Sequence, residues 1–188
     1  MPELPEAEVA ARQLRERVVG ATVRDCWIGR EDIVREGLPS LDQYRQAKIA
    51  GVERKGKSVI LHFLCGKEPR FLVAELGMTG LLLFRSTLTK HPQHTHFILH
   101  LDGCCEPDIR YWNPRRFGRL SLLDRAGLDR YVARRFGHDP LTISHEQFLR
   151  VLRATRSRLK SLLMHQQVIA GIGNIYANEI LFRSRLHP

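Results

Sequence analysis

The chain has 188 residues, enough for one domain or two small ones with a hydrophobic core. Thirty Lys and Arg against twenty Asp and Glu give a formal net charge of +10 and a sequence pI near 10.0, a balance that favours a polyanionic partner. No run approaches the roughly 18 apolar residues needed to span a bilayer, and the start lacks a charged-then-apolar signal segment, so a soluble intracellular protein without membrane contact is expected.

The opening, Met1-Pro2-Glu3-Leu4-Pro5-Glu6, carries the first chemical signal. Removal of Met1 would leave a secondary amine beside a carboxylic acid. Such an amine can attack an electrophilic sugar carbon and pass directly to an iminium ion, and with an α-amino pKa of roughly 7.7 to 8.0 a modest downward push leaves it unprotonated near neutrality. Glu3 could then exchange protons at the same centre. The same residues also read as a Pro-rich helix start, with Glu6 and Glu8 complementing the positive end of the macrodipole.

Val9, Ala10, Leu14 and Val18 recur at helical spacing, predicting a helix from Glu6 to about Val19, stopped by Gly20. Strand-like runs follow at Val23 to Ile28, Ile49 to Arg54, Ser58 to Leu64, Phe71 to Leu76, Gly80 to Phe84, Thr95 to Leu101, Ile109 to Trp112 and Phe117 to Leu122. With Gly-containing turns between them they predict an antiparallel sandwich. His94, His96 and His100 lie in the stretch His94 to Leu101, which mixes polar and apolar residues and reads as a half-buried strand rather than a metal site. Cys26, Cys65, Cys104 and Cys105 contain no Cys-x-x-Cys pair, so no metal is expected, and the vicinal pair beside Gly103 reads as structural.

Residues 125–140 read as a basic, Gly-containing connector. Beyond it Thr142 or Ser144 can cap a helix through about Thr155, a second helix spans about Ser157 to Gln166, and a third begins near Asn174. Gly171-Ile172-Gly173-Asn174 places a glycine-bearing turn before that third helix, where exposed N–H groups could cradle a phosphate and Asn174 could cap the helix or bond the anion. A tight turn without a ligand gives the same pattern.

The opening together with Gly171-Ile172-Gly173-Asn174-Ile175-Tyr176-Ala177 closely resembles the formamidopyrimidine-DNA glycosylase family and its endonuclease VIII-like relatives. The resemblance extends to Lys55-Gly56-Lys57-Ser58, Leu76-Gly77-Met78-Thr79-Gly80 and Asn113-Pro114-Arg115-Arg116-Phe117-Gly118. It implies an α+β fold in which an N-terminal helix and antiparallel β-sandwich (residues 1–124) are joined through 125–140 to a shortened helix-two-turn-helix domain (141–188).

The resemblance also implies base-excision repair of double-stranded damaged DNA in the cytoplasm or nucleoid. Pro2 would attack C1′ and form a Schiff base, Glu3 would assist ring opening and proton transfer, Glu6 would support the amine terminus, and β,δ-elimination would cut the strand. Lys57, Asn174 and Gly173 would hold phosphates, with His94 and Lys160 as lesser backbone contacts. Met78, Arg115 and Phe117 would fill the hole left by the flipped nucleotide. Leu4 favours oxidised purines (8-oxoguanine, formamidopyrimidines) over the oxidised pyrimidines of the branch that commonly has glycine there. A DNA-damage-binding remnant and a lyase restricted to abasic sites are the alternatives.

Three departures stand out. The family continues beyond the equivalent of Pro188, usually into a four-cysteine zinc ribbon whose ligands this sequence lacks, so no cofactor is expected; a fragment and a natural short form both fit. A monomer is expected, or an oligomer if Ile180, Leu181 and Phe182 are left uncovered. Glu75 stands where many relatives carry a phosphate-binding histidine, and His165 where aspartate is usual.

Overall fold

A computed structural model describes residues 2–85 and 92–187. Met1 and Pro188 lie outside them. Helix α1 (Leu4–Val18) starts two residues earlier than the periodicity suggests, because the Glu6 carboxylate accepts from the Glu3 backbone N–H and Pro5 fits the first turn. Its buried stripe is Leu4, Ala7, Ala11, Leu14 and Val18, whereas Val9, assigned to the apolar face from sequence, is 53% exposed.

Nine strands follow: β1 (Thr22–Ile28), β2 (Val34–Glu36), β3 (Lys48–Lys55), β4 (Ser58–Cys65), β5 (Glu68–Glu75), β6 (Leu81–Phe84), β7 (Thr95–Asp102), β8 (Asp108–Trp112) and β9 (Leu120–Leu123). They hydrogen-bond in the order β2-β9-β5-β4-β3-β1-β7-β8-β6, antiparallel except for the β2–β9 pair. The sheet folds over on itself. Although β5 and β8 are far apart in that order, the Tyr111 hydroxyl donates to the Glu75 carbonyl at 2.6 Å. Phe97, Leu99 and Ile109 from one half share a single core with Val59, Leu61 and Leu72 from the other and with Leu14 of α1. The run at Phe117 to Leu122 becomes a strand only from Leu120.

The segment expected to be a connector is mostly helix: α2 spans Arg125–Arg135 and is capped by Asp124, whose carboxylate accepts from Gly127 N at 2.6 Å. Leu128 and Tyr131 pack it onto Ile60, Phe71 and Val73 on the outer face of β4 and β5. Helices α3 (His145–Arg153, capped by Ser144 rather than Thr142), α4 (Leu159–Met164) and α5 (Asn174–Arg183) complete the chain around Leu163, Ile169, Ile172, Ala177 and Leu181. Leu181 is thus core, while Phe182 is 81% exposed. No described helix is long and apolar enough to cross a membrane.

Arg54, with a side chain only 6% exposed, holds the two units together. It donates to Glu8 of α1 at 2.9 Å, to the Gly56 carbonyl at 3.1 Å and to Asp139 at 2.6 Å. Residues 137–138 continue the junction: Gly137 N donates to the Gln166 carbonyl, and His138 pairs with Ile169 in an isolated parallel bridge. Removing one partner of a buried ionic network strands the others in low dielectric. Arg54→Ala should therefore destabilise the fold by about 3 to 5 kcal/mol in urea denaturation, whereas replacing the exposed Arg12, which also pairs with Glu8, should cost under about 1 kcal/mol.

Candidate active site

Glu3 is 1% exposed, and its carboxylate sits on the N-terminus of α5. Oε2 accepts from Gly173 N at 2.8 Å and Tyr176 N at 3.2 Å, and Oε1 accepts from Ile175 N at 2.9 Å. These are the unpaired donors that every helix start presents, and a carboxylate there also meets the positive end of the dipole. The Glu3 backbone N–H is capped by Glu6 Oε2 at 2.9 Å, and Leu4 N donates to the Gly171 carbonyl at 3.1 Å. Pro2, which precedes them, is buried.

In the glycine turn, expected to cradle a phosphate, the Gly173 N–H is already engaged by Glu3. A Cβ on Gly173 would lie 2.3 Å from Glu3 Cδ, and one on Gly171, at φ +114°, would lie 2.7 Å from a Leu4 methyl. The glycines admit the N-terminal residues, and Glu3 takes the anion position on Gly173. Asn174 is the first helical residue, not the cap, and its side chain is exposed. Gln166, unnoticed in the sequence, clamps the turn: its Nε2 donates to the Met164 and Ile172 carbonyls at 2.8 Å each, and its Oε1 accepts from Gly171 N at 2.9 Å.

Lys57 lies in the β3–β4 turn, half-buried. Burial lowers its pKa from the ordinary 10.5, and the nearby Glu3 charge opposes that shift. With Gly77, Arg135 and Gln166 it lines a cleft of about 560 Å³. At the continuation of Gly77, Met78 is 37% exposed; Phe117 is 56% exposed, with the Arg115 guanidinium 5.0 Å from its ring centroid. These three come from two loops pinned by fully buried Asn113, which the sequence shows only as part of its motif. Its Oδ1 accepts from Thr79 Oγ1 and Arg116 N, and its Nδ2 donates to the Tyr111 hydroxyl. Thr79 Oγ1 in turn accepts from Arg115 N at 3.3 Å.

His94 packs edge-on to Trp112 and lines a separate hollow with Arg30 and Arg116. Lys160 is half-exposed in the first turn of α4. The cysteines do not suit a zinc site: Cys26 is in the core, its thiol pushed up to about 12 by burial, and Cys104 donates to the Glu106 carbonyl.

Residues 1–120 match the formamidopyrimidine-DNA glycosylase N-terminal domain, and residues 136–188 match the H2TH domain of the same enzymes. The chain belongs to the formamidopyrimidine-DNA glycosylase family. All of it aligns with the Thermomicrobium roseum glycosylase at 38% identity, covering 69% of that protein. It superposes on the solved Fpg (MutM) of Thermus thermophilus with a TM-score of 0.82 at 36% identity, covering 100% of this chain and 66% of that one. Lactococcus lactis Fpg non-covalently bound to DNA containing an AP site gives a TM-score of 0.84 at 26% identity, with 99% and 71% covered. The family's members are bifunctional DNA glycosylases and AP lyases.

Within that family, Glu75 of this chain is not a bare carboxylate. Its Oε1 accepts from Arg35 Nη1 at 2.6 Å and the Tyr131 hydroxyl at 2.7 Å, and Arg135 Nη1 forms an ion pair with it at 3.2 Å. His165 is exposed at the end of α4, where its carbonyl accepts from Val168 N and Ile169 N.

The depressed pKa of Lys57 has a measurable sign. Its positive charge is complete well below the lowered pKa and is lost as pH rises through it, before an ordinary lysine would discharge. Affinity for a polyanion should fall on the alkaline side in the parent and hold in Lys57→Arg, whose guanidinium stays charged. Parallel binding curves against pH for the two proteins would contradict that assignment.

Proposed function

We propose that this chain is a base-excision-repair glycosylase and AP lyase that removes oxidised purines from duplex DNA through a Schiff base at Pro2. The observation that carries this reading is the seat of Glu3 on α5, which anchors the residue next to Pro2 close enough to Lys57 for the two charges to interact. With Met1 removed, the Pro2 nitrogen lone pair forms the bond to C1′, the base departs with the glycosyl electrons, and opening of the C1′–O4′ bond leaves the iminium. A carboxylate offers about four lone-pair positions. Three are occupied in Glu3, and Oε1, holding only one N–H, retains a place for the proton that ring opening requires.

Loss of a 2′ proton from the iminium then expels the 3′ phosphate, and a second elimination expels the 5′ phosphate. Lys57 and the exposed Asn174 side chain hold phosphates flanking the lesion, with His94 and Lys160 further out. Phosphate contacts fix register without reading sequence, as repair anywhere in the genome demands. Met78, Arg115 and Phe117 fill the vacated stack: exposed apolar and cationic groups on loops fixed by Asn113 suit a wedge. Leu4, packed over Gly171, is the feature that favours purine lesions.

The test is an end-labelled duplex with one 8-oxoguanine. Base release and a one-nucleotide gap with phosphate at both ends are expected. Glu3→Gln should lower base removal by about 10²- to 10⁴-fold, the usual weight of general acid–base help, while duplex binding is retained. Equal cleavage by parent and Glu3→Gln, or binding by the parent without cleavage, would refute the reading.

A further inference from the structure

Glu75 presents a puzzle of sign. A carboxylate beside a cleft meant for phosphates should repel them, yet this one sits on β5 directly opposite Ser58, one residue from Lys57. Its main chain is held on both sides: Glu75 N donates to the Arg119 carbonyl, and its own carbonyl accepts from the Tyr111 hydroxyl. Its side chain, 16% exposed, gathers Arg35 from β2 and Arg135 from the end of α2 onto one oxygen, which also accepts from the Tyr131 hydroxyl. The Arg135 guanidinium also lies 5.0 Å from the Tyr131 ring centroid.

We infer that Glu75 is a positioning residue that orders Arg35 and Arg135 as phosphate-binding groups, which take over the contact expected of histidine at position 75. The inference rests on the DNA-binding reading above. Each guanidinium carries five N–H donors; Arg35 spends one on Glu75, and Arg135 is ion-paired to the same oxygen. Their side chains are 38% and 40% exposed, so the remaining donors are within reach of a ligand. Two guanidiniums against one carboxylate leave the cluster positive, and Arg offers the planar two-pronged geometry that suits phosphate oxygens.

Arg135 lines the same cleft as Lys57, and beyond it Arg35, Arg130, Arg134 and Arg135, with Glu36 as the one acidic group among the described residues, border a second hollow of about 220 Å³. A cationic track therefore runs from the catalytic cleft onto α2. The Glu75 carboxylate keeps two long, mobile side chains in one geometry, so their ordering entropy is already spent before a phosphate arrives.

The two accounts of Glu75 predict opposite signs. The assay is binding of the full chain to a duplex containing a tetrahydrofuran abasic analogue, at salt from about 50 to 200 mM. If Glu75 merely repels, Glu75→Gln tightens binding. If it positions the arginines, Glu75→Gln weakens binding by about tenfold, the weight of one charged hydrogen bond. Arg135→Gln and Arg35→Gln should each lower the slope of log affinity against log salt by about 0.9. Adding Glu75→Gln to the double arginine variant should then change little. Arg35 and Arg135 are surface side chains, so their variants remain informative even if Glu75→Gln fails to fold. Tighter or unchanged binding by Glu75→Gln, or unchanged salt slopes in both arginine variants, overturns the inference. If these results come with a parent that binds and a weakened Lys57→Ala, the repair function stands without it; a parent that binds no duplex removes both.

Discussion

The site depends on a single buried carboxylate. Glu3 lies at the start of one helix and its carboxylate satisfies the start of another, 170 residues away, so the first turn of α1 is tied to the first turn of α5. A charge that is 1% exposed is tolerable only because backbone donors surround it. The consequence is positional. Residue 2 has no freedom to wander, and the secondary amine that attacks C1′ in the proposed chemistry is held where the β-sandwich meets the helical unit. Effective molarity of this kind comes from geometry set in advance of substrate binding.

The surroundings are built to keep that geometry rigid. Arg54 ties α1, the β3–β4 turn and Asp139 into one ionic knot beneath the cleft, and Gln166 locks the turn that delivers Gly171 and Gly173 to the N-terminal residues. Opposite, Asn113 uses its amide to pin two loops at once, which leaves Met78, Arg115 and Phe117 projecting from a fixed base. Each of these polar side chains sits where irregular backbone would otherwise be left with unmatched hydrogen-bonding groups. The side chains of Met78 and Phe117 are exposed, and Asn113, which fixes their loops, is buried.

Much of this was legible in the sequence, for reasons that differ by element. The eight longer strands announced themselves by alternation. The three-residue strand β2 is too short to show a period, and it is the one paired in parallel. Helix α2 was hidden by its arginines and Gly127, although Asp124 is an ordinary cap and only Leu128 and Tyr131 needed to face the sheet. Motif positions such as Pro2, Glu3, Lys57 and Asn174 could be picked out, but not what Gly173 approaches, because a glycine's absent side chain makes room equally well for a phosphate or for Glu3. Arg54 and Gln166 carry no signal in one sequence, and Asn113 shows only as part of its motif, because what each does is set by the partners its side chain meets after folding. Glu75 could be noticed as an acidic residue in a basic setting, but only its neighbours reveal that it is paired.

The account is tested most directly by reducing a mixture of the mature protein and abasic-site duplex with borohydride and locating the adduct by peptide mass mapping. The account predicts deoxyribose bonded to the nitrogen of Pro2, in a chain from which Met1 has been removed. An adduct on a lysine side chain with Pro2 unmodified, or no adduct while the duplex is demonstrably bound, would contradict it.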